Sequence, residues 1–100
     1  LTAPLPDDVT YDKFWDALVS SFKSDFKLVP NYKDGKLVEL SKDHFITYSV
    51  IGEGAVKMVY RTDKGSGTIY EESRIPVIDG LLAVGVTRVH REPLRVEYWR

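Results

Sequence analysis

One apolar stripe with helical spacing lies near the N-terminus of this sequence. Its members recur at intervals of three and four residues: Tyr11, Phe14, Trp15, Leu18, Val19 and Phe22. This spacing puts them all on one face of an α-helix. Thr10 is a suitable N-cap, and Asp12 lies in the first turn, where the helix dipole favours negative charge. We therefore predict a helix over residues 10–26, whose apolar face must be buried against another element.

After this helix, the chain changes to a pattern of strands and turns. Residues 36–99 contain runs rich in Ile, Val, Thr and Tyr, which favour strands. Turn signals separate them: Asp34-Gly35, Ser41 to Asp43, Gly52 to Gly54, Asp63 to Gly67, Asp79-Gly80 and Glu92-Pro93. Short connections favour antiparallel pairing, and the sequence has no second helical segment to link parallel strands.

These elements predict an α+β fold in which residues 1–100 form a single domain. Residues 1–9 form an extended N-terminal segment because Pro4 and Pro6 block a helix. The helix then packs on a curved antiparallel sheet of about six strands over residues 36–99. Since no other element is available, the sheet's apolar face is the surface that buries the helix.

Composition excludes several classes of function. The net charge is -1, whereas nucleic-acid-binding domains usually carry a basic excess, so no nucleic-acid partner is expected. There is no cysteine, which excludes disulfides and thiolate metal sites. No apolar run reaches the roughly 20 residues of a membrane-spanning helix, so no transmembrane segment is predicted. The sequence begins at Leu1 rather than Met, either because a leader was removed or because it begins within a longer protein.

No cofactor or metal is predicted from the motifs. His44 and His90 fall in different predicted strands, and neither has a second ligand at metal-binding spacing. We expect no metal site and no catalytic centre built on them. The glycine pairs Gly52/Gly54 and Gly65/Gly67 do not lead into a helix, which a phosphate-binding loop requires.

Two adjacent glutamates are candidates for a polar group inside the fold. Glu71 and Glu72 are neighbours in a predicted strand, so their side chains point to opposite faces. If Tyr70 and Glu72 share the concave face, Glu72 orients a polar ligand group or acts as a base. The alternative is a structural charge paired with Arg61 or Arg74. The candidate ligand-binding residues are Tyr48, Tyr60, Tyr70 and Glu72.

The C-terminal segment, residues 88–100, combines arginines with aromatic residues. Leu94, Val96 and Tyr98 alternate with Arg95, Glu97 and Trp99. If the first set faces the core, Trp99 points outward beside Arg95, which is typical of a contact surface. The alternatives are a solvated face with ion pairs, or Trp99 packed on an arginine. An open edge at this last strand would favour a protein partner or a second copy of the chain. The candidate partner-binding residues are Arg91, Arg95, Trp99 and Arg100.

The segment Thr10 to Leu18, with Trp15 and Leu18 in a W-x-x-L-like element, resembles the early helix of the helix-grip group. This group includes START-like and Bet v 1-like lipid binders and polyketide cyclases. The hairpin Ala55 to Ile75 is similar in rhythm to the group's central strands. The resemblance implies a sheet that grips a helix around a small apolar ligand. The group's long C-terminal helix is missing, so the alternatives are a truncated chain or a shorter relative such as a cystatin-like or NTF2-like fold.

Two functional hypotheses follow from these observations. The first is a non-catalytic binding or assembly module that contacts a protein partner or encloses a small apolar ligand. The alternative is a small cyclase-like or isomerase-like enzyme that uses a cavity Glu, His or Tyr. A cavity of several hundred cubic ångströms with a buried Glu72 or histidine would favour a carrier or an enzyme. An interior filled by aromatic and aliphatic side chains would instead favour an interaction role. We expect such a filled interior, formed by Phe14, Trp15, Leu18, Phe22, Tyr48 and Tyr60.

Overall fold

The structure, a computed structural model, describes residues 9–76 and 80–100 in full and the backbone of residues 2–4. The described elements follow one another along the chain as β1 (Thr2–Pro4), α1 (Tyr11–Ser24), a 3-10 helix (Asp25–Leu28), β2 (Tyr32–Ser41), β3 (His44–Ile51), β4 (Gly54–Asp63), β5 (Thr68–Ile75), β6 (Gly80–Arg91) and β7 (Leu94–Trp99). The predicted helix is therefore present as α1, continued by the 3-10 helix.

All the strands belong to one antiparallel sheet, in the order β1-β7-β6-β5-β4-β3-β2. Strands β2 to β7 each pair with their neighbours in the chain, as short turns require. Strand β1 adds a three-residue seventh strand beside β7. Among the described strands, β1 and β2 form the two edges and do not pair with each other. The sheet is therefore open, and the predicted α+β class is confirmed.

Helix α1 begins where the sequence predicts and packs on one side of the sheet. The Thr10 hydroxyl accepts a hydrogen bond from the Lys13 backbone N–H at 3.3 Å, which satisfies a free donor of the first turn. Trp15 is 5% exposed and is the buried centre of the helix. It belongs to a core cluster with four sheet residues: Phe45, Tyr60, Ile69 and Val89. The rest of the apolar stripe packs around this cluster: Tyr11, Phe14, Leu18, Val19 and Phe22.

The two sides of the sheet differ in what covers them. We call the side that carries Phe45, Tyr60, Ile69 and Val89 the helix face, and the opposite side the open face. Successive side chains of a strand point to opposite sides of the sheet, so each strand contributes alternate residues to the helix face and to the open face. The strand register then places side chains from different strands beside one another across each face.

Helix α1 covers only part of the helix face. Phe45 and Ile69, which lie close to Trp15 in the core, are at most 1% exposed. Ser73 and Ala83 pair with each other farther along the same face, where Ser73 is half-buried and Ala83 is exposed. The helix face therefore has a packed part beneath α1 and an uncovered part beside it.

The turn predicted at Asp34-Gly35 is wrong, because both residues lie within β2. A Cβ atom at Gly35 would lie 2.2 Å from the Tyr48 carbonyl oxygen of the neighbouring strand. The pairing register also shifts between Tyr32 and Asp34. Gly35 thus allows a close approach of two backbones at an irregular point in the strand, which is a second common role of glycine in strands. The turns predicted around residues 42–43, 52–53, 64–67 and 92–93 are confirmed, whereas Asp79 lies outside the described residues.

The expectation of an open edge at the last strand is also wrong. Strand β1 pairs with β7 through Thr2 and Glu97, Ala3 and Val96, and Pro4 and Arg95. The extended N-terminal segment pairs with residues 95–97 of β7, so the sheet ends at β1 rather than at the last strand. The alternation within β7 is confirmed, since Leu94 and Val96 pack on the core and Trp99 is 46% exposed.

Candidate functional site

An apolar cleft lies between the C-terminal end of α1, the 3-10 helix and strands β3 and β4. Its volume is about 290 Å³, close to the lower end of the range for ligand pockets. We call it the apolar cleft. Most of its lining is apolar or aromatic: Phe22, Phe26, Val29, Ile51, Val56, Met58 and Tyr60. The polar residues Ser21, Asp25 and Ser49 complete it.

Aromatic stacking holds the walls of the apolar cleft. Phe22, in the last turns of α1, stacks on Tyr60 with ring centroids 5.2 Å apart. Tyr60 in turn stacks on Phe45 at 4.8 Å. The 3-10 helix buries Phe26, whose ring meets Tyr32 edge-on at 6.1 Å. Such contacts stabilise a defined geometry in addition to burying area, so the cleft has preformed walls.

A row of polar side chains crosses the helix face beside this cleft. Tyr60 lies opposite Glu71 in the register of β4 and β5. The Tyr98 hydroxyl donates a hydrogen bond to Oε1 of Glu71 at 2.7 Å, and Nε of Arg100 donates to the Tyr98 hydroxyl at 3.2 Å. With Thr47 on β3, we call these five residues the polar row. It brings an acid, two phenols, a hydroxyl and a guanidinium together on one face.

Tyr60 is the buried link between the apolar cleft and the polar row. Burial raises its pKa well above the ordinary value of 10, and the Glu71 carboxylate raises it further. The neighbouring Thr47 hydroxyl acts in the opposite direction. Thr47 is fully buried, and its Oγ1 makes no well-formed hydrogen bond with the described residues. Tyr60 therefore remains a neutral phenol and can donate a hydrogen bond throughout the physiological pH range.

Gly85 makes room for the contact between Glu71 and Tyr98. It lies opposite Glu71 on β6. A Cβ atom there would lie 2.6 Å from the Tyr98 hydroxyl oxygen and 2.7 Å from Oε1 of Glu71. Since both of these atoms are the ends of side chains, a methyl group would displace the pair without forcing the backbone apart. Gly85 thus positions the centre of the polar row.

Only one of the four predicted ligand-binding residues lines the apolar cleft. Tyr60 does so, whereas Tyr48 alternates onto the open face, where Nζ of Lys36 lies 5.4 Å from its ring centre. Tyr70 and Glu72 share a face, as the hypothesis required, but it is the open face. The glutamate on the helix face is Glu71. Glu71 alternates onto the same face as Ile69, so choosing Ile69 rather than Tyr70 as the core residue of this strand would have identified it.

On the open face, Glu72 belongs to a local ion-pair network. The Tyr70 hydroxyl donates to its Oε1 at 2.8 Å, and Nε of Arg74 donates to its Oε2 at 2.7 Å. The hydrogen bond from Tyr70, followed by that from Arg74, lowers the pKa of Glu72. This arrangement is the structural alternative raised from the sequence, with Arg74 as the partner.

The predicted partner-binding residues do not form one surface. Arg91 braces the fold on the helix face: its guanidinium lies 3.9 Å from the Tyr11 ring centre and donates to the Gly65 carbonyl at 3.0 Å. Arg100 is in the polar row. Arg95 and Trp99 share the open face, where Arg95 pairs with Glu97. The hydrogen bond from Arg95 is the main cause of a lowered pKa of Glu97.

The histidines lie apart, in β3 and β6. His90 Nε2 is 2.6 Å from Oε1 of Glu97, so its neighbour is a carboxylate on the open face. Among residues 9–76 and 80–100, no three histidine or carboxylate side chains are grouped to hold a metal ion. No helix in the described part of the chain has the length and apolar character needed to cross a membrane.

Comparison with known proteins gives no relative from which a site could be transferred. No protein-family model matches the chain, and neither a curated protein nor a solved structure matches it.

Proposed function

We propose that this chain is a non-catalytic binding module that holds a small apolar molecule in the apolar cleft. The observation that carries the proposal is a cleft of about 290 Å³ with mostly apolar walls, next to the domain's own core. Apolar surface that the fold leaves unfilled is the surface that a ligand's apolar body covers with the largest gain.

The position of the cleft supports a ligand rather than a packing defect. Its walls belong to four separate elements, and stacking of Phe22 on Tyr60 holds two of them together. Met58, a flexible and polarisable side chain that adapts to irregular ligands, contributes to the floor. The resemblance to the helix-grip group supports the same proposal, because it implies a small apolar ligand held between a helix and a sheet.

Fluorescence titration with N-phenyl-1-naphthylamine, a neutral dye that brightens in apolar sites, tests this proposal. We expect saturable binding of one dye by the folded chain. The test variant is Met58→Trp, whose larger side chain fills the cleft, and we expect it to weaken binding about tenfold or more. The matched control is Val59→Trp, the next residue of the same strand, which lies on the open face.

The outcome depends on the difference between these two variants. Both should retain the circular dichroism spectrum of the wild type, and Val59→Trp should bind the dye with nearly unchanged affinity. If the dye does not saturate, or if Val59→Trp weakens it as much as Met58→Trp does, the apolar cleft is not the binding site and the proposal fails.

A protein partner on the open face is the second candidate function. Two large apolar side chains of the open face are exposed: Trp99 46%, and Leu81 53%, which lies opposite Arg74. Exposed apolar residues of this size are typical of contact surfaces. Light scattering of the chain across a concentration series tests for a second copy, and Trp99→Ala should abolish any association that this surface mediates.

A further inference from the structure

We infer that the ligand of the apolar cleft carries a hydroxyl group and that Glu71 recognises it. This inference rests on the proposed function, because the polar row and the apolar cleft meet at Tyr60. Cross-strand neighbours have Cβ atoms about 5 Å apart, so Glu71, directly opposite Tyr60, lies within reach of a molecule seated against Met58 and Tyr60.

The hydrogen bonds of Glu71 leave one of its two oxygens open. Its Oε1 accepts the bond from Tyr98 at 2.7 Å. No side chain among residues 9–76 and 80–100 donates to its Oε2, and this oxygen is not fully buried, so solvent reaches it. An ionised carboxylate only accepts hydrogen bonds. The further partner that Oε2 can take is therefore a hydrogen-bond donor, and a ligand can supply it in place of water.

The charges of the polar row indicate that this donor is neutral. Glu71 carries one negative charge and Arg100 one positive charge, and Tyr98 bridges them through its hydroxyl. A cationic ligand group would be repelled by Arg100, and an anionic group would be repelled by Glu71. Tyr60 stays a neutral phenol and adds no charge. An alcohol or a phenol donates to the carboxylate without either repulsion.

The surface beside Glu71 has the space for such a group. Its neighbours on the helix face are the small residues Ser73, Ala83 and Gly85, and Ala83 is exposed. The Tyr98 hydroxyl and the Glu71 carboxylate take the space above Gly85. Ser73 and Ala83 are shorter than Met58 and Tyr60 and leave the adjoining surface open. A ligand would thus place its apolar body in the cleft and its hydroxyl over this open surface.

A matched pair of probes tests the inference: naphthol and its methyl ether, methoxynaphthalene, which has a similar apolar body but no donor. Titration of the wild type should give about tenfold tighter binding of naphthol, the usual strength of a hydrogen bond to a charged group. Glu71→Gln keeps the shape but removes the charge, and it should reduce this preference to about threefold or less, with unchanged binding of methoxynaphthalene.

Glu72→Gln is the control, since it changes the neighbouring residue on the open face and should keep the full preference. Gly85→Ala, which displaces Glu71 and Tyr98 through a methyl group, should lose it. Equal binding of the two probes by the wild type, or a preference that survives Glu71→Gln, overturns the inference and leaves the proposed function intact. If neither probe binds, the proposed function fails and the inference fails with it.

Discussion

Replacement of Trp15 by alanine should remove a large share of the stability of this domain. Trp15 is 5% exposed and is the buried centre of α1. Replacing a core aromatic residue with alanine lowers the free energy of unfolding by about 3–5 kcal/mol, because the removed atoms no longer bury apolar area and a cavity remains. The free energy of unfolding of a whole domain is about 5–15 kcal/mol. With a urea dependence of about 2 kcal/mol per M, the midpoint of unfolding should fall by roughly 2 M.

The two tryptophans allow the same experiment to report structure and stability. Trp15 is buried and Trp99 is 46% exposed, so the native emission of Trp15→Ala comes from Trp99 alone and should lie at longer wavelength. Circular dichroism follows unfolding in urea independently of this change. The control is Trp99→Phe, which should keep short-wavelength emission and change stability by about 0.5 kcal/mol or less.

The reasoning is refuted if Trp15→Ala unfolds within about 0.5 kcal/mol of the wild type. Such a result would mean that the contacts of Trp15 with the core do not hold α1 on the sheet. The fold would then have to be stable with the helix detached, and the apolar cleft would lose one of its walls.

Three further predictions address the backbone and the titrating groups. Gly67→Ala should destabilise the chain in urea more than Gly52→Ala does: both have positive φ, but only at Gly67 would the new Cβ meet a carbonyl oxygen, at 2.3 Å. Because the pKa of Glu72 is lowered, its stabilising effect is present above pH 4.5 and is lost as the pH falls below that value. Urea unfolding of Glu72→Gln should therefore show lower stability than the wild type near neutral pH but equal stability in acid. Because the pKa of Tyr60 is raised, stability should fall as the pH rises above 10, and absorbance titration should show fewer than six tyrosines ionising near pH 10. Tyr60→Phe should lack this alkaline loss.

The helix could be predicted from the sequence because its signal is local. Six apolar residues fall on the same face of the helix within twelve positions, and each of them belongs to the core or packs against it. Capping by Thr10 is equally local, since its partner is Lys13. The class of the sheet followed from short turns for the same reason, because chain neighbours pair with one another.

The site could not be predicted in this way, because its contacts join distant parts of the chain. Glu71 and Tyr98 are 27 positions apart, and their contact depends on the absence of a side chain at Gly85. Alternation alone also leaves open which face of β5 is buried. The hypothesis placed Tyr70 and Glu72 on the concave face, whereas Ile69 occupies the core. The pairing of β1 with β7 spans nearly the whole chain, and no local pattern indicates it.

The helix face divides into a packed part and an uncovered part. Beneath α1, the large side chains of Phe45, Tyr60 and Ile69 stack or pack on the helix and supply the area that holds the fold. Beside it, Ser73 and Ala83 bury little, so selection for packing alone would favour larger apolar residues there. Small residues at an uncovered place contribute almost nothing to the free energy of folding, but they keep the surface next to Glu71 accessible. On our proposal, that accessibility is the reason for the imbalance, because a ligand can complete a surface that the chain leaves unpacked.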